Sequence, residues 1–151
     1  MISVGNFRRD FKLIFGGKCQ AANPKVVTVA YYNAQIAYPW YQSAKALAQN
    51  PTWQASSHAG PAGSTWKNWN LSVPAAADAW QEGCLAMVRS GVIDSCFVDG
   101  CGGMAGRSNP TAKHAAIAEL QAAVPGPLIC GVGGACKSAV QEMTGVGGFQ
   151  E

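Results

Sequence analysis

Two acidic residues stand where a carboxylate could do chemical work. Asp99 closes the run Val92 to Asp99 (VIDSCFVD) and precedes the glycine-rich stretch GCGGMAG. A side chain there would leave the C-terminal end of a strand, the rim at which (β/α) barrels gather catalytic groups. Glu151 follows GVGGFQ and would reach the same rim if that segment forms a further strand. Each has a structural alternative: Asp99 as an Asx-type cap on the following loop, Glu151 as a solvated chain end. Tyr31, Tyr32 and Asn33, with Tyr38, Trp40 and Tyr41 just after them, concentrate aromatic surface beside an amide. Core packing is the commoner use of such rings. Trp66 and Trp69 flank Asn68, with Asn70 beyond, and allow the same two readings.

Other chemistries find less support. The six cysteines (Cys19, Cys84, Cys96, Cys101, Cys130, Cys136) make no CxxC pair, and His58 and His114 are not at zinc-like spacing, so neither a metal nor a cofactor is expected. GCGGMAG and GVGG each follow a candidate strand as phosphate-cradling turns do, yet neither completes GxGxxG in its setting and no P-loop Lys-Ser/Thr is present. Asp94, at the start of its strand, reads as a capping or salt-bridging residue. Asp78 and Glu82 read as solvated like charges one helical turn apart, and Lys113 and His114 as lying on a solvated helix side.

The elements that must position these residues come from a chain of 151 residues, 48% hydrophobic, with a net charge of +3. That suits one folded domain. Its basic residues are scattered apart from Arg8, Arg9 and Lys12, which argues against a nucleic-acid partner. Every apolar run is broken well short of the ~20 residues that cross a bilayer, so no membrane association is expected. Arg8, Arg9, Asp10 and Lys12 interrupt any signal-peptide core. A cytoplasmic location is expected if Met1 is the true start, and secretion if the N-terminus is incomplete.

Val26 to Tyr32 (VVTVAYY) reads as a buried parallel strand, and Pro39 to Asn50 as a helix stopped by Asn50-Pro51. Thr52 to Ser64 has no periodicity and reads as a loop, with Trp66 to Leu71 a short strand after it. Ser72 and Pro74 mark a helix start. Its stripe is Trp80, Cys84, Met87 and Val88, and Gly91 ends it. Val92 to Asp99 is the next strand, and Asn109-Pro110 opens a helix that closes at Pro125-Gly126-Pro127. Leu128 to Val132 (strand), Ala135 to Met143 (helix) and Val146 to Gln150 (strand) continue the alternation. Strands alternating with helices require parallel pairing and right-handed crossovers. A complete eight-fold barrel takes about 250 residues and seldom fewer than roughly 200, so the expected architecture is a partial (β/α) barrel arrangement, with a small doubly wound sheet, built of the same unit, as the alternative. Period-two alternation puts Ser95, Phe97 and Asp99 on one face and Cys96 on the other, aimed at the helix of Cys84. Packed thiols are expected there, with a disulfide the alternative for an exported chain.

Three stretches carry a family resemblance: Ala21 to Tyr41, Leu71 to Gly100 and Leu120 to Gly134. With a strand ending Tyr-Tyr-Asn, a Pro-led helix and a strand ending Cys-Phe-x-Asp, the chain resembles a family of predicted glycoside-hydrolase-like TIM-barrel proteins. The likeness covers roughly the middle two-thirds of the sequence; residues 1–20 match poorly, and the terminal barrel strands are missing from the match. It implies a truncated TIM-barrel-like α/β domain acting on a polysaccharide through paired carboxylates, Asp99 and Glu151. It further implies sugar contacts from Tyr32, Asn33, Trp40 and Asn70, the last standing where the family has an acid. Hydrolysis of this kind holds its carboxyls about 5–5.5 Å apart for retention or about 6.5–9.5 Å for inversion. Two other classes compete: a non-catalytic carbohydrate- or partner-binding remnant, self-associating through exposed sheet edges, and a small nucleotide-binding α/β module.

Overall fold

A computed structural model of the chain describes residues 3–5, 27–60, 63–91, 93–101, 109–126 and 128–130. In chain order the elements are β1 (Ser3–Gly5), β2 (Thr28–Asn33), β3 (Ile36–Ala37), α1 (Gln42–Gln49), a 3-10 turn (Pro51–Trp53), β4 (Gln54–Ala59), β5 (Thr65–Trp69), α2 (Pro74–Arg89), β6 (Ser95–Asp99), α3 (Pro110–Ala123) and β7 (Ile129–Cys130). They make a mixed α/β fold with two sheets. The expected helix Ala135 to Met143, the strand Val146 to Gln150, the GVGG stretch and Glu151 lie outside the described residues.

The first sheet has four strands, all parallel, in the order β1-β2-β6-β7. Parallel strands therefore follow one another across the sheet in chain order, without a reversal among the described residues. Paired residues share a face, so the register Tyr31 to Phe97 and Asn33 to Asp99 puts these four side chains on one side. Ala30, Tyr32, Cys96 and Val98 point the other way, into a core completed by Leu47 of α1, Trp80 and Cys84 of α2, and Ile117 and Leu120 of α3. All three described helices thus serve one face of the sheet.

Local signals explain most element ends. Asn33 stops β2 by turning its Oδ1 back to accept from Gln35 N at 2.8 Å and Ile36 N at 2.7 Å. Helix α1 ends at Asn50, before Pro51, where proline disfavours helical backbone. Gly91 terminates α2 at φ 69°, a conformation that glycine adopts without steric cost. Asn109 caps α3 by accepting from Thr111 N at 2.9 Å. Ser72, expected to cap α2, does not; its Oγ instead accepts from Asn109 N at 2.9 Å and ties the two helix entrances together.

Two architectural expectations are corrected. Thr52 to Ser64 is not a loop throughout, because β4 lies within it and pairs antiparallel with β5. Strand β5 also pairs antiparallel with β3, so the order β3-β5-β4 makes a second, three-stranded sheet inserted between β2 and α2. The described residues accordingly close no barrel, and not every strand is parallel.

Candidate functional site

Asp99 ends β6 beside Asn33, its partner in register at the end of β2. Its Oδ2 accepts from the Tyr31 hydroxyl at 2.5 Å and from Asn33 Nδ2 at 3.4 Å, and its Oδ1 accepts from Gly100 N at 2.7 Å. Asn33 Nδ2 also donates to Tyr31 Oη at 3.2 Å. The carboxylate is half-buried, with its oxygens oriented by donors from two strands and the following turn. Hydrogen bonds to a charged group are worth about 1.5–3 kcal/mol each, enough to fix a side chain that would otherwise rotate. Burial, and after it the bond to Asp99, pushes the Tyr31 phenol far above its ordinary range. Tyr31 therefore holds its proton and acts as a donor to the carboxylate.

An aromatic run leads outward from this group. Phe97 stacks on Tyr31 with centroids 6.1 Å apart, and Tyr31 lies 6.2 Å from Tyr38. Tyr38 and Trp40 stack with nearly parallel rings, 6° apart, at 4.6 Å. Trp66 of β5 meets both edge-on, at 4.8 Å from Tyr38 and 6.0 Å from Trp40. Trp40 remains 45% exposed. Beside Trp66, Asn68 is buried; its Nδ2 donates to Ser56 Oγ at 2.8 Å, and its Oδ1 has no hydrogen-bond partner among the described residues. The inserted sheet thus holds flat apolar surface and a buried amide at the rim of the parallel one.

The expected site residues separate on this geometry. Asp99 and Asn33 are brought together, but Asn33 is buried, its Nδ2 turned to Tyr31 and Asp99 and its Oδ1 to Gln35 and Ile36, so it orients the carboxylate rather than facing outward; Trp40 stands on the aromatic run. Tyr32 belongs elsewhere: it is wholly buried on the helix face, donating to Trp80 O at 2.6 Å and bonded to Ser43 Oγ at 3.0 Å. Tyr31 takes the rim position instead. Two-residue alternation carries that signal, because a strand cannot present adjacent side chains to one face. Asn70 is a turn residue, its Oδ1 accepting from Ser72 N at 3.3 Å and its N–H donating to Trp53 O at 2.8 Å. Glu151 lies outside the described residues.

Other charged and sulfur groups complete the account. Asp94, at the opposite end of β6, accepts from Thr28 N at 2.7 Å and Thr28 Oγ1 at 3.0 Å, the capping role expected of it. Glu82 pairs with Arg89 on the exposed side of α2, and Glu119 accepts from Gln81 Nε2 at 2.8 Å. Cys84 and Cys96 form a disulfide between α2 and β6 rather than a packed pair of thiols. The helix-facing side of β6 and the buried stripe of α2 put both sulfurs in one gap. Lys113, expected in solvent, is buried, because α3 turns that side of its first turn toward the loop after β6. No group of three His, Cys, Asp or Glu side chains among the described residues could hold a metal ion. None of the described helices is long and apolar enough to cross a membrane.

These features define a mixed α/β protein with an oriented carboxylate and a partly exposed aromatic stack at one end of its parallel strands. No protein-family model matches the sequence, and a search of curated proteins finds no relative.

Proposed function

We propose that this rim binds a carbohydrate and that the chain is a glycoside-hydrolase-like protein in which Asp99 supplies the acid/base carboxylate. The observation that carries the reading is the continuity between Asp99 and the partly exposed ring of Trp40, through Tyr31 and Tyr38. A pyranose ring presents axial C–H groups on one face and hydroxyls at its edge. A flat indole suits the first, and a half-buried carboxylate suits the second. Sequential strand order with the described helices on one face supports derivation from a (β/α) barrel, whose sheet grows in that way. It disfavours the nucleotide-binding alternative, which places its ligand where strand order reverses.

A second reading, carbohydrate binding without hydrolysis, is favoured by one observation. The other carboxylates of the described residues lie on α2, on α3 or at the far end of β6, so none of them serves as a second acid beside Asp99. The test measures both properties on the intact chain with soluble glucan, xylan, mannan and galactan. Affinity electrophoresis reads binding, and reducing-end assays read cleavage. Under the hydrolase reading Asp99→Asn abolishes release and Trp40→Ala weakens binding about tenfold or more. Binding without release selects the second reading, and a parent protein that neither binds nor cleaves these glycans overturns both.

A further inference from the structure

Lys113 is a charged side chain that the proposed chemistry does not use, yet it is only 5% exposed. It is the fourth residue of α3, near the positive end of the helix dipole, where a cation gains nothing from the helix. Burying an ammonium is costly unless its donors are met. Its Nζ donates to Gly100 O at 3.1 Å. Gly100 is the residue whose N–H meets Asp99 Oδ1 at 2.7 Å. Its φ of 73° is one that side-chain-bearing residues rarely adopt, and a Cβ there would approach Asn33 Oδ1 to 3.3 Å. The two peptide groups flanking the Gly100 Cα are therefore fixed from opposite sides, one by the carboxylate and one by the ammonium.

We propose that Lys113 is a positioning residue for Asp99: by holding Gly100 O it keeps the left-handed turn closed, and that turn delivers the N–H that orients Oδ1. Its importance to chemistry rests on the reading of Asp99 as the working carboxylate, but the turn itself can be tested without any glycan. Tyr31 and Asn33 approach Asp99 from β2, Gly100 follows it in the chain, and Lys113 reaches the turn from α3 through Gly100 O.

The experiment is amide hydrogen exchange by NMR on the full chain, comparing the parent with Lys113→Met and Lys113→Arg. Loss of the Gly100 anchor is expected to speed exchange at the Gly100 amide about tenfold in Lys113→Met, while the amides of Tyr32 and Val98 keep their protection. Lys113→Arg, which retains the charge and donors, is expected to restore most of the protection. Unchanged exchange at Gly100 in a folded Lys113→Met overturns the proposal, as does acceleration spread evenly over Tyr32, Val98 and Gly100. If Lys113→Met does not fold, Lys113→Gln replaces it with the same expected and overturning outcomes. Because no ligand enters the measurement, a negative result leaves the carbohydrate reading standing, and a failure to bind glycans leaves this one intact.

Discussion

Tyr31 and Tyr32 are consecutive in β2, and their hydroxyls end on opposite sides of the parallel sheet: Tyr31 donates to Asp99 Oδ2 at 2.5 Å, Tyr32 to Trp80 O at 2.6 Å. One phenol belongs to the rim and its neighbour to the core. Their removal should therefore be felt by different measurements.

Tyr32→Phe deprives Ser43 and the Trp80 carbonyl of a buried partner and is expected to cost about 1–3 kcal/mol of stability. Tyr31→Phe leaves the half-buried Asp99 accessible to replacement water, so its stability cost should be smaller. Effects on glycan binding or cleavage should rank in the opposite order. Urea denaturation beside affinity electrophoresis checks the crossing; the same rank in both would refute the division of labour.

Gly83 sits in α2 where a Cβ would collide with the Tyr32 hydroxyl and come within 2.8 Å of Ser43 Oγ. In an open helix, glycine to alanine gains about 0.8–1.0 kcal/mol. Here the sign should reverse: Gly83→Ala is expected to lose about 1–3 kcal/mol, since the neighbours it meets are buried and hydrogen-bonded. A gain in melting temperature would contradict the close approach of α1, α2 and β2.

The disulfide ties the strand of Asp99 to the longest described helix, closing a separation of 12 residues. Replacing both cysteines with alanine should cost about 2–4 kcal/mol. Adding dithiothreitol should lower the parent's melting temperature and leave the double variant unmoved. An equal response of both proteins would show that the bond contributes nothing in solution.

Alkaline pH should unfold the chain through its buried phenols. Burial is the first cause holding Tyr32, Tyr31 and Tyr41 protonated in the fold. An unfolded phenol ionises near pH 10, so above that value the unfolded state has released protons that the native state retains. Stability is then full below about pH 10 and falls as pH rises further, because the unfolded state binds fewer protons. Tyr32→Phe should flatten this slope relative to the parent. Identical slopes in chemical denaturation across that range would remove the tyrosines as its cause.

Much of the parallel frame was legible in the sequence. The run VVTVAYY, the cap at Asn109 and the stop at Gly91 each state a local preference that the fold obeys. Asp99 was legible because it combines a strand end with a following glycine. Strand β4 was not, since QASSHA lacks the branched and aromatic residues that mark a strand, and its pairing is supplied by β5 across a hairpin. The rim position of Tyr31 follows from strand alternation: if Asn33 and Asp99 face the rim, the residue two before Asn33 joins them and Tyr32 faces the core. The burial of Lys113 depended on a loop-to-helix contact spanning 13 positions, which helical periodicity does not report.

The inserted antiparallel strands leave the pairing of β2 with β6 undisturbed, residue for residue from Val29 to Asn33. On the proposed carbohydrate reading, the parallel frame and part of the aromatic surface are consequently written on separable lengths of polypeptide. Exchanging Trp66 or Ser56, or lengthening the hairpin tip around Gly60, redraws the surface offered to a visiting molecule without re-registering the strand that carries Asp99. On that reading, selectivity can drift while the Asp99 carboxylate stays moored.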